Sequence, residues 1–146
     1  MKSTFKKILC PIDFTEDSFA ALKTAYTLAL CFSAHLIAVH VMPGMQQLRM
    51  QQNRQVHHRI AESFFTEQLD LAVRQSTNGT IPVQSILVEG NAADEIVRVA
   101  HSLKVDAIIM ADQKKDEWEK VRDGSMADEV MGQAKCPVYV LRDFEV

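Results

Sequence analysis

The stretch AIIMADQKKDEWEKVRDGSMADEV, residues 107–130, sets a dense run of charged side chains between a strand-like segment and a helix start. Gly124 and Ser125 open a helical pattern, and the N–H groups at a helix start form an anion site favoured by the helix dipole. Lys114 and Lys115 add point charges of the sign that neutralises phosphate. Against them stand Asp112, Asp116, Glu117 and Glu119, whose carboxylates oppose a phosphate out to about a Debye length of 8–10 Å. Ser125 also has a plainer task, because with Asp128 three residues on it reads as a helix cap. The segment KKDEWEKVRD carries four basic and four acidic residues, so its net charge is zero. Lys115 with Glu119, and Asp116 with Lys120, are opposite charges four apart and support a helical turn. Residues 114–123 therefore read as an ordered, partly helical cover rather than a binding patch. Trp118 either packs back beneath that cover or faces a partner.

Asp13, ending the strand-like run KKILCPID, is the other acidic candidate; its plainer role is a turn carboxylate for the helix that follows. His57 and His58 are adjacent, so on a helix they point apart and do not share a metal. His35, His40 and His101 have no ligand-spaced Cys, Asp or Glu, and His40 within a strand reads as a hydrogen-bonded interior histidine. The sequence contains no Gly-x-Ser-x-Gly elbow, no Gly-x4-Gly-Lys-Ser/Thr loop and no Gly-x-Gly-x-x-Gly fingerprint. Cys10, Cys31 and Cys136 are an odd count without a Cys-x-x-Cys pair, and they read as small buried hydrophobes in a reducing cytosol. No catalytic or metal set emerges.

The elements that must position these groups alternate in period. KKILCPID, HLIAVHVM, PVQSILVEG, VDAIIMAD and CPVYVLRD read as strands; the first, second and fourth are nearly continuous in apolar residues, as for strands covered on both faces. Between them Phe19, Leu22, Tyr26 and Ala29 recur at helical spacing behind a Thr15 cap. Val56, Ile60, Phe64 and Leu71 mark a longer second helix, and Ala93, Ile96, Val97, Ala100 and Leu103 a third behind Asn91. Met126, Val130 and Ala134 mark the last. Parallel strands joined by helical crossovers give an α/β protein with an open doubly wound parallel sheet of five strands and helices on both faces. Residues 1–146 form one domain. A formal charge of −3 argues against nucleic acid as a partner, no apolar run reaches the roughly 18 residues of a membrane helix, and MKSTFKK leads into a strand without a signal-peptide core.

In such a sheet the ligand crevice lies at the carboxyl ends of the strands, where the order reverses. With the order 3-2-1-4-5, the loops at that point are PIDFTEDS and ADQKKDEWEKVRDGS, which hold the residues discussed above. The last strand, PVYVLRDFEV, is apolar and falls at the sheet edge, which invites a second copy to pair through Val138 and Val140 in a symmetric dimer.

KKILCPIDFTEDSFAALKTA, LIAVHVM, VEGNAADEIVRVAHSLKVDAIIMA and GSMADEVMGQAKCPVYVLR, taken in order, resemble the universal stress proteins over nearly the whole chain apart from about residues 44–80. The resemblance implies the strand order 3-2-1-4-5 and a dimeric, cytoplasmic stress-response protein. Some members bind ATP through Gly-x2-Gly-x9-Gly-Ser/Thr after the fourth strand; others lack those glycines. Here the first glycine position is Ala111 and the second Lys114, while Gly124-Ser125 completes the pattern after nine spacer residues. Glycine serves phosphate loops by allowing positive φ and close backbone approach. A lysine Cβ in left-handed geometry costs about 1–2 kcal/mol. In ATP-binding members the residues matching Pro11, Asp13 and Val41 line the adenosine pocket. The expectation is a non-enzymatic homodimer acting through protein contacts, with a degraded phosphate cradle and no cofactor. The alternative is an ATP- or AMP-binding protein that uses lysine in place of glycine amides.

Overall fold

The computed structural model describes residues 5–44, 54–112 and 125–142. Five strands, β1 (Lys7–Pro11), β2 (His35–Met42), β3 (Val83–Glu89), β4 (Ala107–Ala111) and β5 (Val138–Leu141), form one sheet. Every pairing is parallel and the order is β3-β2-β1-β4-β5. Among the described residues four helices cross over between them: α1 (Glu16–Phe32), α2 (Arg54–Ser76), α3 (Ala92–Leu103) and α4 (Met126–Gln133).

Strand alternation splits the core into two layers. Ile8, Cys10, Leu36, Ala38 and Ile109 pack with α1 and α2, whereas Leu9, Ile37, Val39, Ile108 and Met110 pack with α3 and α4. The runs nearly continuous in apolar residues are thus the strands buried on both faces, and the edge strand β3 is only half-buried.

The helix starts follow the sequence. Thr15 Oγ1 accepts from Ser18 N–H at 3.2 Å and Asn91 Oδ1 from Asp94 N–H at 3.1 Å. Helices α1 and α3 end on Ser33 and Lys104, each with positive φ (53° and 54°).

Two expectations need correction. Helix α2 forms, but the apolar residues that mark it in the sequence face outward: Ile60, Phe64 and Leu71 are 62%, 54% and 43% exposed. Leu69 and Ala72 are the buried positions, with Val73 beside them. Both sets have helical spacing, and the neighbours α1, β2 and β3 select between them. Among the cysteines Cys10 is buried, but Cys31 is exposed on α1 and Cys136 is half-buried.

Candidate functional site

Strand β1 connects to β2 on one side, whereas β4 connects to β5 on the other, so the sheet order reverses between β1 and β4. A crevice opens there at the carboxyl ends. Pro11, Asp13, Val41 and Ala111, four of the residues expected from sequence, line it together with His40 and Met126. Its volume is about 60 Å³. That is well below the roughly 300 Å³ at which small-molecule pockets begin.

Asp13 is committed to the turn behind it. Its Oδ1 accepts from Thr15 N–H at 3.0 Å and from Thr15 Oγ1 at 2.5 Å, which sets up the cap of α1. Phe14, between them, has φ of 66°, a left-handed geometry that costs a side chain with a Cβ about 1–2 kcal/mol. Packing holds it there. The Phe14 ring lies 4.5 Å from the His40 ring and 6.0 Å from Phe65, and His40 lies 4.9 Å from Phe65.

His40 Nδ1 stands 2.6 Å from the Ile12 carbonyl oxygen. A carbonyl only accepts, so Nδ1 carries the hydrogen. Burial pushes the imidazole below its ordinary range, outweighing the Ile12 carbonyl and the Asp13 carboxylate, which both pull it up. The interior histidine expected from the strand pattern is therefore present, and it forms one wall of the crevice.

Ser125 caps α4, with its Oγ accepting from Asp128 N–H at 3.4 Å. The same hydroxyl donates to Asp112 Oδ1, also at 3.4 Å. Asp112 Oδ2 lies 2.9 Å from Arg142 Nε, and Asp112 N–H donates to the Leu141 carbonyl at 3.0 Å. A buried carboxylate thus sits at the start of α4, between a serine hydroxyl and a guanidinium. A phosphate oxygen accepting from Ser125 Oγ at about 2.7 Å would stand no more than about 6 Å from Asp112 Oδ1. Two unit charges at that separation repel by about 3 kcal/mol at an effective dielectric of about 20. Arg142, largely in solvent, offsets part of this.

Arg142 escaped the sequence reading. The available signal was that Asp112 and Arg142 each directly follow one of two strands expected to be neighbours. Lys114, Gly124, Trp118 and the cover expected over residues 114–123 lie outside the described residues.

At the sheet edge, the Pro137 and Leu141 carbonyls accept from Ile108 and Asp112 N–H groups on the β4 side. Backbone direction alternates along a strand, so the N–H and C=O of Val138 and Val140 face away from β4. Their side chains pack towards α3 and α4, while Tyr139 on the opposite face is exposed.

Elsewhere, the His58 ring faces Glu89 through Nε2 at 2.5 Å and Glu62 through Nδ1 at 3.6 Å, joining α2 to the end of β3. Among the described residues no group of three or more His, Cys, Asp or Glu is arranged to hold a metal ion, and no helix is long and apolar enough to cross a membrane.

Fold and crevice together define a doubly wound α/β protein with its candidate site at the switch point. The model of the universal stress protein family matches residues 4–142, and the chain belongs to that family. Universal stress protein MJ0531 of Methanocaldococcus jannaschii is 27% identical over 143 residues, spanning 97% of this chain and 84% of that one. Among solved structures, that of protein MJ0577 shares the fold with a TM-score of 0.80 at 24% identity, covering 97% of this chain and 99% of the other. A universal stress protein from Archaeoglobus fulgidus, solved in complex with dAMP, shares it with a TM-score of 0.63 at 19% identity, covering 97% and 100%.

Proposed function

We propose that this chain is a non-enzymatic, cytoplasmic stress-response protein that works as a homodimer through protein contacts, with the phosphate half of its crevice closed to nucleotide. The observation that carries the reading is the commitment of Ser125. Its hydroxyl, the last polar group of the family's phosphate pattern, is used internally by Asp128 N–H and by Asp112. Ala111 at the first glycine position and a crevice of about 60 Å³ support the same conclusion. The dimer is supported by β5, whose Val138 and Val140 turn backbone donors and acceptors to an open edge. Two copies pairing there satisfy those groups on both partners and remove the edge.

The competing reading, an ATP- or AMP-binding protein, draws support from the Archaeoglobus relative in complex with dAMP. Pro11, Asp13, Val41, Ala111, Lys114, Gly124 and Ser125 would then form the site. Calorimetric titration with ATP, ADP and AMP separates the two readings. The expected result is weak or undetectable heat; saturable micromolar binding that is lost in Ser125→Ala would establish the competing reading.

A further inference from the structure

We propose that an apolar groove between α1 and β5 is the face on which a second copy of this chain seats itself, with Tyr139 of each copy carrying a row of aromatic rings across the two-fold axis. The inference rests on the homodimer proposed above, and it names the surface and the side chains that hold the two copies together.

The face is bare because of where the crossovers fall. Helix α1 packs on β1, β2 and β4, and α2 packs on β2 and β3. Beyond them on that side of the sheet stands Tyr139, nearly half exposed at the edge. Between Tyr139 and α1 runs a groove of about 220 Å³, lined by Phe5, Ile8, Leu28, Phe32, Ile109 and Tyr139. None of the six carries a charge. The Phe5 ring lies 5.0 Å from the Phe32 ring and 6.2 Å from the Tyr139 ring, so three rings lead from the end of α1 to the open edge. Phe32 is nearly half exposed as well, and Leu28 beside it also reaches solvent. The other side of β5 differs, because there Val138 and Val140 already pack towards α3 and α4.

Edge pairing alone falls short of what a stable dimer needs. Strand β5 has four residues, a length of about 14 Å, and a sheet with its side chains is about 10 Å thick. That gives a contact on the order of 150 Å² per partner, about a fifth of the roughly 800 Å² in a standard interface. The remainder has to come from a face beside the edge, and the apolar groove is continuous with that edge. The register brings two such faces together. Backbone groups of Val138 and Val140 point outward, and outward-facing residues pair only with each other. In the two symmetric registers that overlap the strands most, Val138 meets the partner's Val140, or Val140 meets the partner's Val140. Tyr139 then stands opposite the partner's Tyr139 or the partner's Leu141, on the same face and about 5 Å away between Cβ atoms. Both neighbours are largely apolar, and the first adds ring-to-ring packing.

The test is sedimentation over a dilution series with the wild type, Tyr139→Ser, Tyr139→Phe, Phe32→Ser and Met131→Ser. Met131 is an exposed apolar residue of α4, away from the groove, and serves as the control. Tyr139→Ser should weaken the dimer about thirtyfold or more, because an aromatic anchor is lost from both copies at once. Phe32→Ser should weaken it about tenfold, while Tyr139→Phe, which keeps the ring, and Met131→Ser should stay within about twofold of the wild type. Thermal melts confirm that each variant folds, and Tyr139→Phe keeps the test decisive should a serine variant fail to do so. A dimer that keeps wild-type affinity in both Tyr139→Ser and Phe32→Ser would overturn the inference and leave the homodimer standing. So would Met131→Ser weakening the dimer as much as Tyr139→Ser does. A wild type that stays monomeric at micromolar concentration would overturn the inference and the homodimer together.

Discussion

Replacing His40 with phenylalanine keeps a ring between Phe14 and Phe65 but deletes the donor that reaches the Ile12 carbonyl at 2.6 Å. Ile12 is buried, so its carbonyl loses a partner that water does not readily replace. An unpaired buried polar group costs about 1–3 kcal/mol, and the extra apolar area of phenylalanine offsets part of that. The net expectation at about pH 8 is a destabilisation of about 1–2 kcal/mol. The pH dependence is the sharper test. The folded imidazole titrates below its unfolded value of about 6.5, so below that value the unfolded chain binds more protons than the native one. The histidine's contribution is therefore fully present above the unfolded pKa and is lost as pH falls towards the folded one. Phenylalanine carries no such proton, so the gap between wild type and variant should narrow from about pH 8 to about pH 5.5. Urea denaturation at both pH values measures it. A gap that widens on acidification would mean that the Ile12 carbonyl and Asp13 overcome burial, refuting the reasoning. A gap that stays constant would mean that the imidazole does not titrate differently on folding.

Val140→Pro removes a backbone N–H that faces away from β4, and proline is tolerated on an edge strand at such a position. The wild type should sediment as a dimer, twice the 16.5 kDa chain, while the variant should yield a folded monomer. A monomeric wild type at micromolar concentration, or an interface that excludes residues 137–142, would refute the dimer assignment. Ser33→Gly relieves a left-handed C-cap at φ of 53° and should stabilise the protein by about 1 kcal/mol, the Cβ penalty less the backbone entropy of glycine. Thermal melts should show a rise of about 2–4 °C; a fall would mean that Ser33 makes a contact worth more than its strain. Changing Ala111 and Lys114 together to glycine should leave ATP binding weak while Asp112 remains; strong binding by that variant would place the block in the lost glycines.

Much of the architecture is set by local patterns that survive without tertiary context. Continuous apolar runs at β1, β2 and β4 identify strands covered on both faces, because they are too short for buried helices and are bounded by turn residues. Thr15, Asn91 and Ser125 identify helix starts, because their side chains reach N–H groups only two or three residues away. Asp13, Pro11 and Ala111 are legible as neighbours because a doubly wound topology brings those strand ends to one crevice, whereas Val41 is marked only by the family resemblance. Tertiary structure decided the rest. In α2 two apolar stripes share the helical period, and only packing against α1, β2 and β3 buries Leu69 and Ala72 while leaving Ile60 and Phe64 outside. Asp112 and Arg142 are thirty positions apart, and nothing in either local sequence pairs them; the parallel register of β4 and β5 does. Sequence reveals the kinds of charge around the crevice, but the sign felt at the start of α4 depends on which carboxylate the sheet delivers there.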